Sequence, residues 1–142
     1  MQSVGICDYL GKKYGLAGST PEENALALMT AMSAEDFRIK VFTEVIFGDS
    51  KDKFVNETLP RWLPQIERNL IAGNGHFVPS TFTYGDICMF DALQSAITKG
   101  LKVSDEYPEC LIPYPAISVW YSEMKNKPGI KEHLESRLDA PF

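Results

Sequence analysis

The sequence predicts an all-α fold, a bundle of about six helices. Three observations carry that reading. Apolar side chains recur at three- and four-residue steps through most of the chain, the spacing of one helix face. Gly and Pro mostly fall where those runs end, and no run shows the two-residue alternation of a half-buried strand. Helix-start signatures stand at Thr20 and Thr83, each with an acidic residue three positions later.

The elements follow in order. The first helix is predicted from about Ser3 to Tyr14, with Val4, Ile6, Cys7, Leu10 and Tyr14 apolar and Gly15 as its stop. Thr20 is the N-cap of the second helix, Pro21 its first residue and Glu23 the partner of the cap. Ala25, Leu28, Met29 and Met32 form one stripe on it, and Phe37, Val41, Phe42, Val45 and Ile46 continue that stripe. It is expected to reach about Phe47, bent near Ser33. The third helix spans about Lys51 to Ala72, with a kink where Pro60 and Pro64 remove backbone donors. Gly73 to His76 reads as a turn, and Phe77 to Ser80 as extended.

The strongest local signal is Phe82-Thr83-Tyr84-Gly85-Asp86-Ile87. Thr83 is a helix cap, and the Asp86 carboxylate can reach back to its N–H. Phe82 and Ile87 are placed to form a hydrophobic staple. The helix that follows is apolar on most sides, so it belongs at the centre of the bundle, ending at Gly100. A Pro-rich loop holding Asp105 leads to a short helix with Ile117, Trp120, Tyr121 and Met124. Pro128-Gly129 breaks it, Ile130 to about Ser136 form the last turns, and Arg137 to Phe142 a tail.

Bulk properties narrow the function. A chain of 142 residues fits one domain. A net charge of −5, with no Lys/Arg cluster above that background, disfavours a nucleic-acid partner. Apolar runs are too short for a membrane span, and there is no secretory signal pattern at the start. Cys7, Cys88 and Cys110 are odd in number and lack CxxC spacing, which argues against a disulfide framework or a zinc site. The expected setting is the cytoplasm.

No hydrolytic or phosphate-binding motif is present. His76 and His133 read as surface residues. Cys88 reads as a core thiol, and Cys110 as the most exposed of the three. Glu35-Asp36 reads as a solvated face. Asp86 is expected to be buried, its charge answered by the capping box.

Four stretches in order resemble one family. They are Gln2-Ser3 with Ile6 to Leu16, Thr20-Pro21-Glu22-Glu23, Phe77-Val78 with Phe82 to Asp86 and Phe90-Asp91, and the ending from Tyr114-Pro115 through Pro128-Gly129-Ile130 to Arg137. Together the chain resembles the helical C-terminal domain of cytosolic glutathione S-transferases, closest to the sigma class. The resemblance implies that residues 1–18 match the last helix of a thioredoxin-like domain and residues 19–142 the helical domain. In the family, a Gln/Glu-Ser pair holds the γ-glutamyl end of glutathione, so Gln2 and Ser3 are the candidate ligand residues. The thiol-activating residue lies earlier in the family, and no residue here matches it. The expected function is therefore a non-catalytic binding or interaction module, as relatives in translation and tRNA-synthetase assemblies use this domain. The alternative is part of an active transferase that conjugates glutathione to electrophiles. No cofactor is expected, and glutathione would be at best a weak ligand. Met32 stands where some dimeric relatives carry an Asp that reaches the partner's glutathione. Met32 and Phe37 could instead line an apolar pocket. A bare first helix and the long helix make a homo-oligomer or a protein partner the expected assembly.

Overall fold

A computed structural model describes residues 3–102 and 108–136. Among the described residues, the chain forms six helices. We label them α1 (Ser3–Lys13), α2 (Pro21–Val41), α3 (Lys51–Lys53 continuing to Leu59–Ala72), α4 (Tyr84–Ser95), α5 (Pro115–Asn126) and α6 (Ile130–Ser136). Gln2, Asp105 and the tail from Arg137 to Phe142 lie outside the described residues.

Three wide π turns interrupt or extend these helices. Phe42–Ile46 prolongs α2, Phe54–Thr58 lies inside α3, and Ala96–Leu101 prolongs α4. The irregularity of α2 therefore falls at Phe42 rather than near Ser33: the Phe47 N–H skips back to the Phe42 carbonyl, 2.9 Å away. In α3 the wide turn comes just before Pro60. A proline lacks an N–H and crowds the carbonyl four residues back; the wide turn ends as Leu59 bonds to the Phe54 carbonyl, and Pro60 then opens a regular helix. Pro64 sits inside that helix. The first two wide turns are tied together by Glu44, a buried carboxylate that accepts the Thr58 hydroxyl at 2.6 Å and faces Lys40 and Lys53 at 3.7 and 3.9 Å. Gly100 does not end α4; the helix continues to Leu101, and Lys102 takes the left-handed conformation with φ 57°.

The buried face of α2 differs from the stripe read in its first half. Ala27, Ala31, Ala34, Phe37 and Val41 face inward, while Ala25, Met29 and Met32 are exposed. The reason is close approach. α4 crosses α2 at Gly85, where a Cβ would stand 2.9 Å from the Ala27 carbonyl oxygen. Only small side chains fit such a seam, so the alanines take it and the methionines turn outward. α4 is central, as its apolar circumference predicts, and buries Met89, Phe90, Ala92 and Leu93. The main core gathers around Phe37, Phe54, Leu63, Leu93 and Trp120. A smaller cluster of Ala17, Ala27, Ala31, Val78 and Tyr84 lies under α1.

The segment after α3 is tighter than the extended run expected. Val78 and Thr81 form a single antiparallel bridge, and Ser80 takes φ 55° between them. The Ser80 N–H returns to the Gly73 carbonyl at 2.9 Å, closing the turn.

Candidate functional site

The N-terminal end of the bundle concentrates the features a ligand or partner could use. α1 has two apolar faces. Val4 and Cys7 turn inward onto the small cluster, and Gly11 is the one fully buried residue of the helix. A Cβ at Gly11 would overlap the Tyr84 ring, so glycine is what lets α1 sit this low on α4. The Tyr84 hydroxyl donates to Asp8 at 3.0 Å, and Lys12 holds the same carboxylate at 2.8 Å. The Lys12 hydrogen bond holds the Asp8 carboxyl below its ordinary value. Burial first, and then the Asp8 bond, push the Tyr84 phenol up.

The other face of α1 has no cover. Ile6, Tyr9, Leu10 and Tyr14 are 41–67% exposed. Lys13 lies over the Tyr9 and Tyr14 rings at 6.0 and 5.5 Å, which keeps its charge beside the patch. Ser3 opens the helix and is exposed.

α2 presents a second open surface. Between α2 and α3 lies a cleft of about 360 Å³ lined by Leu26, Met29, Ser33, Trp62, Ile66 and Phe77. Met32 is 55% exposed on α2 but does not line it. Phe37 has no exposed surface and lies beneath, its ring 5.3 Å from Trp62 and 6.0 Å from Phe54. The structure therefore does not bring Met32 and Phe37 to one pocket. Phe37 supports the Trp62 wall from below, because a full-sized aromatic at the α2–α3 crossing packs inward. A further cleft of about 470 Å³ lies between α4 and the α5–α6 corner, lined by Leu16, Phe82, Phe90, Lys127, Ile130 and Leu134. The Lys127 ammonium stands 4.2 Å from the centre of the Phe82 ring.

Asp86 does more than cap. Its carboxylate accepts the Thr83 N–H at 2.9 Å and the Thr83 hydroxyl at 3.2 Å, completing a capping box. It also faces the Trp120 indole nitrogen and His76 Nδ1, both at 3.3 Å. His76 is thus half-buried and engaged, not a free surface residue, while His133 is exposed. Cys110 is also half-buried rather than exposed, packed against the main core, and burial raises its thiol. Cys88 is pushed up to about 12, chiefly by burial. Sequence reasoning missed Glu67, whose carboxylate accepts the Ala116 and Ile117 N–H groups at 3.0 and 2.8 Å and so caps α5 from α3. Among the described residues, no group of three or more His, Cys, Asp and Glu could hold a metal ion. No helix among them is long and apolar enough to cross a membrane.

An all-α domain with bare apolar faces on two helices offers surfaces on which a ligand or a partner can dock. The comparisons give that class its family. The family model for the glutathione S-transferase C-terminal domain matches residues 35–137. A glutathione S-transferase of Plasmodium yoelii yoelii is 28% identical over 99% of this chain and 65% of its own length. Glutathione S-transferase P 1 of Xenopus laevis is 31% identical, over 95% of this chain and 62% of its own. The solved Pi-class glutathione S-transferase of Onchocerca volvulus superposes with a TM-score of 0.82 at 27% identity, covering 96% of this chain and 65% of that one. The chain belongs to the glutathione S-transferase family, through its helical C-terminal domain. It spans slightly less than two thirds of the length of the curated relatives named here.

Proposed function

We propose that this chain is a binding module of glutathione S-transferase type that does not itself activate the glutathione thiol. The bare face of α1 carries the reading. Ile6, Tyr9 and Leu10 on this short helix, with Tyr14 just past its end, are costly to leave in water, at roughly 25 cal/mol per Å². A contiguous patch of that kind usually marks a contact surface. Its occupant is proposed to be a thioredoxin-like unit, a second copy of the chain, or another protein partner, with the exposed Met29 and Met32 of α2 as a second contact. Residues 1–18 serve as the joining helix and residues 19–142 as the module. At the start of α1, Ser3 and the free N–H groups of the first turn suit a carboxylate. Gln2 and Ser3 are therefore proposed to hold the γ-glutamyl end of glutathione, weakly. The three free thiols fit a reducing, cytoplasmic setting.

One observation favours a second reading, part of an active transferase that conjugates glutathione to electrophiles. The relatives that match nearly the whole of this chain are named as transferases and extend beyond it. One experiment separates the two. The purified chain is given glutathione and a generic aromatic electrophile, and is passed over immobilised glutathione. The binding module gives no turnover and little or no retention; measurable turnover overturns it. Sedimentation then tests the α1 face. Ile6→Lys with Leu10→Lys should convert a self-associating or partner-bound chain to a monomer without lowering its Tm.

A further inference from the structure

We propose that Cys7 and Cys88 form a reversible dithiol–disulfide site that latches α1 onto α4, taking a hydroperoxide as its oxidant. The two residues stand 81 positions apart in sequence, on different helices, yet both pack against the small cluster beneath α1. The Cys7 thiol is close enough to act on Cys88 as a side-chain neighbour. Each is free and half-buried. Cys110 gives the contrast: it sits on the short 3-10 turn Glu109–Leu111, against the main core, and belongs to another part of the bundle.

The two thiols have unequal roles. Cys7 lies on the outer helix α1 and Cys88 on the central helix α4, and Cys7 takes the first step. Cys7 sulfur attacks one peroxide oxygen, the O–O bond breaks, and the departing hydroxide takes up the Cys7 proton as water. Cys7 is then a sulfenic acid. Cys88 sulfur attacks Cys7 sulfur, and the sulfenic oxygen leaves with the Cys88 proton as a second water. Two thiols are oxidised by two electrons and one hydroperoxide is reduced. The resulting bond adds a covalent tie to a helix otherwise seated by Gly11, the Asp8–Tyr84 bond and a few half-buried side chains. It fixes the helix that presents the bare apolar face.

The test uses the full chain and hydrogen peroxide near stoichiometry. After quenching, denaturation and alkylation, the number of alkylated cysteines should fall from three to one. A non-reducing peptide map should show Cys7 joined to Cys88 within one chain. The Tm should rise by about 5–10 °C, α1 amides should exchange more slowly, and dithiothreitol should reverse both. Cys110→Ser should leave the link intact, and Cys7→Ser should abolish it together with the Tm rise. Three results overturn the proposal: Cys7 and Cys88 stay alkylatable while Cys110 oxidises, either residue stops at sulfinic acid, or the disulfide joins two chains. The peptide map on the unmutated chain decides this even if a variant folds poorly.

Discussion

Replacing Asp86 by alanine is the sharpest test of how the bundle is held. Its side chain is wholly buried and faces four polar groups on three parts of the chain. Losing the cap costs about 1 kcal/mol. The Trp120 indole N–H, 1% exposed, is then orphaned at about 1–3 kcal/mol. His76 is half-buried and can turn toward water, so its loss adds little. The expected destabilisation is about 2–4 kcal/mol. With an unfolding entropy of about 2.1 cal/mol/K per residue, a chain of this length loses about 3 °C per kcal/mol. Thermal unfolding followed by circular dichroism should therefore show Asp86→Ala about 6–12 °C below the parent. Asp86→Asn keeps one acceptor but presents an N–H₂ to donors, and should lose about half as much. Trp120→Phe removes the orphaned donor, so its combination with Asp86→Ala should cost less than the two losses added. If Asp86→Ala melts within about 2 °C of the parent, the cross-bundle role of this carboxylate is wrong.

Other consequences can be measured alongside. Glu67→Ala strips the cap from α5 and should lower stability by about 1–3 kcal/mol, with Glu67→Gln intermediate; urea midpoints rank them. Gly11→Ala pushes a methyl into the Tyr84 ring and should cost about 1–3 kcal/mol, with the largest loss of hydrogen-exchange protection in α1. The seat of α1 should also have two pH edges. Asp8 is depressed below 3.8, so its contribution is full above that pH and fades as pH falls through the lower folded value. Tyr84 is raised above 10.0, so its contribution is full below that pH and fades as pH rises beyond it. Protection factors in α1 should plateau between about pH 4 and 10, and Tyr84→Phe should remove the alkaline edge and weaken the acid one, since the Tyr84 hydroxyl also bonds Asp8.

What was legible in the sequence is what is local. The boxes at Thr20 and Thr83 span four residues each, and both form; the Glu23 N–H reaches the Thr20 hydroxyl at 3.2 Å. The six helices follow from apolar spacing within single segments. The burial of α4 follows because its circumference is apolar on most sides. What escaped depends on a second element. Glu67 caps α5 from 49 positions away, and Trp120 reaches Asp86 across 34. The inward turn of the α2 alanines is set by how near α4 comes at Gly85, a distance that no feature of α2 encodes. Periodicity marked Met29 as apolar but could not decide between core and surface, because both choices satisfy a helical repeat. Phe37 is the same ambiguity resolved the other way. The wide turns escaped for another reason: a π turn shifts register by one residue, within the scatter of a three-or-four spacing.

The seat of α1 and the capping box of α4 are one structure, and that makes their perturbations interdependent. Thr83 is the cap, Tyr84 the first helical residue and Asp86 the third. Tyr84 supplies the ring under Gly11 and the hydroxyl on Asp8, while its own N–H donates to the Leu16 carbonyl at 2.8 Å, just beyond α1. Cys88 follows one turn later against Cys7. Fraying the first turn of α4 therefore moves the whole floor on which α1 rests. Once Asp86→Ala has loosened Tyr84, a methyl at Gly11 meets a ring that can give way. The double variant should consequently lose less than the sum of the single losses, by about 0.5–3 kcal/mol. Strict additivity, within about 0.3–0.5 kcal/mol, would mean that α1 and the cap are seated independently. In the coupled case, whatever binds the outer face of α1 should also protect the first turn of α4, with no contact to Asp86 at all.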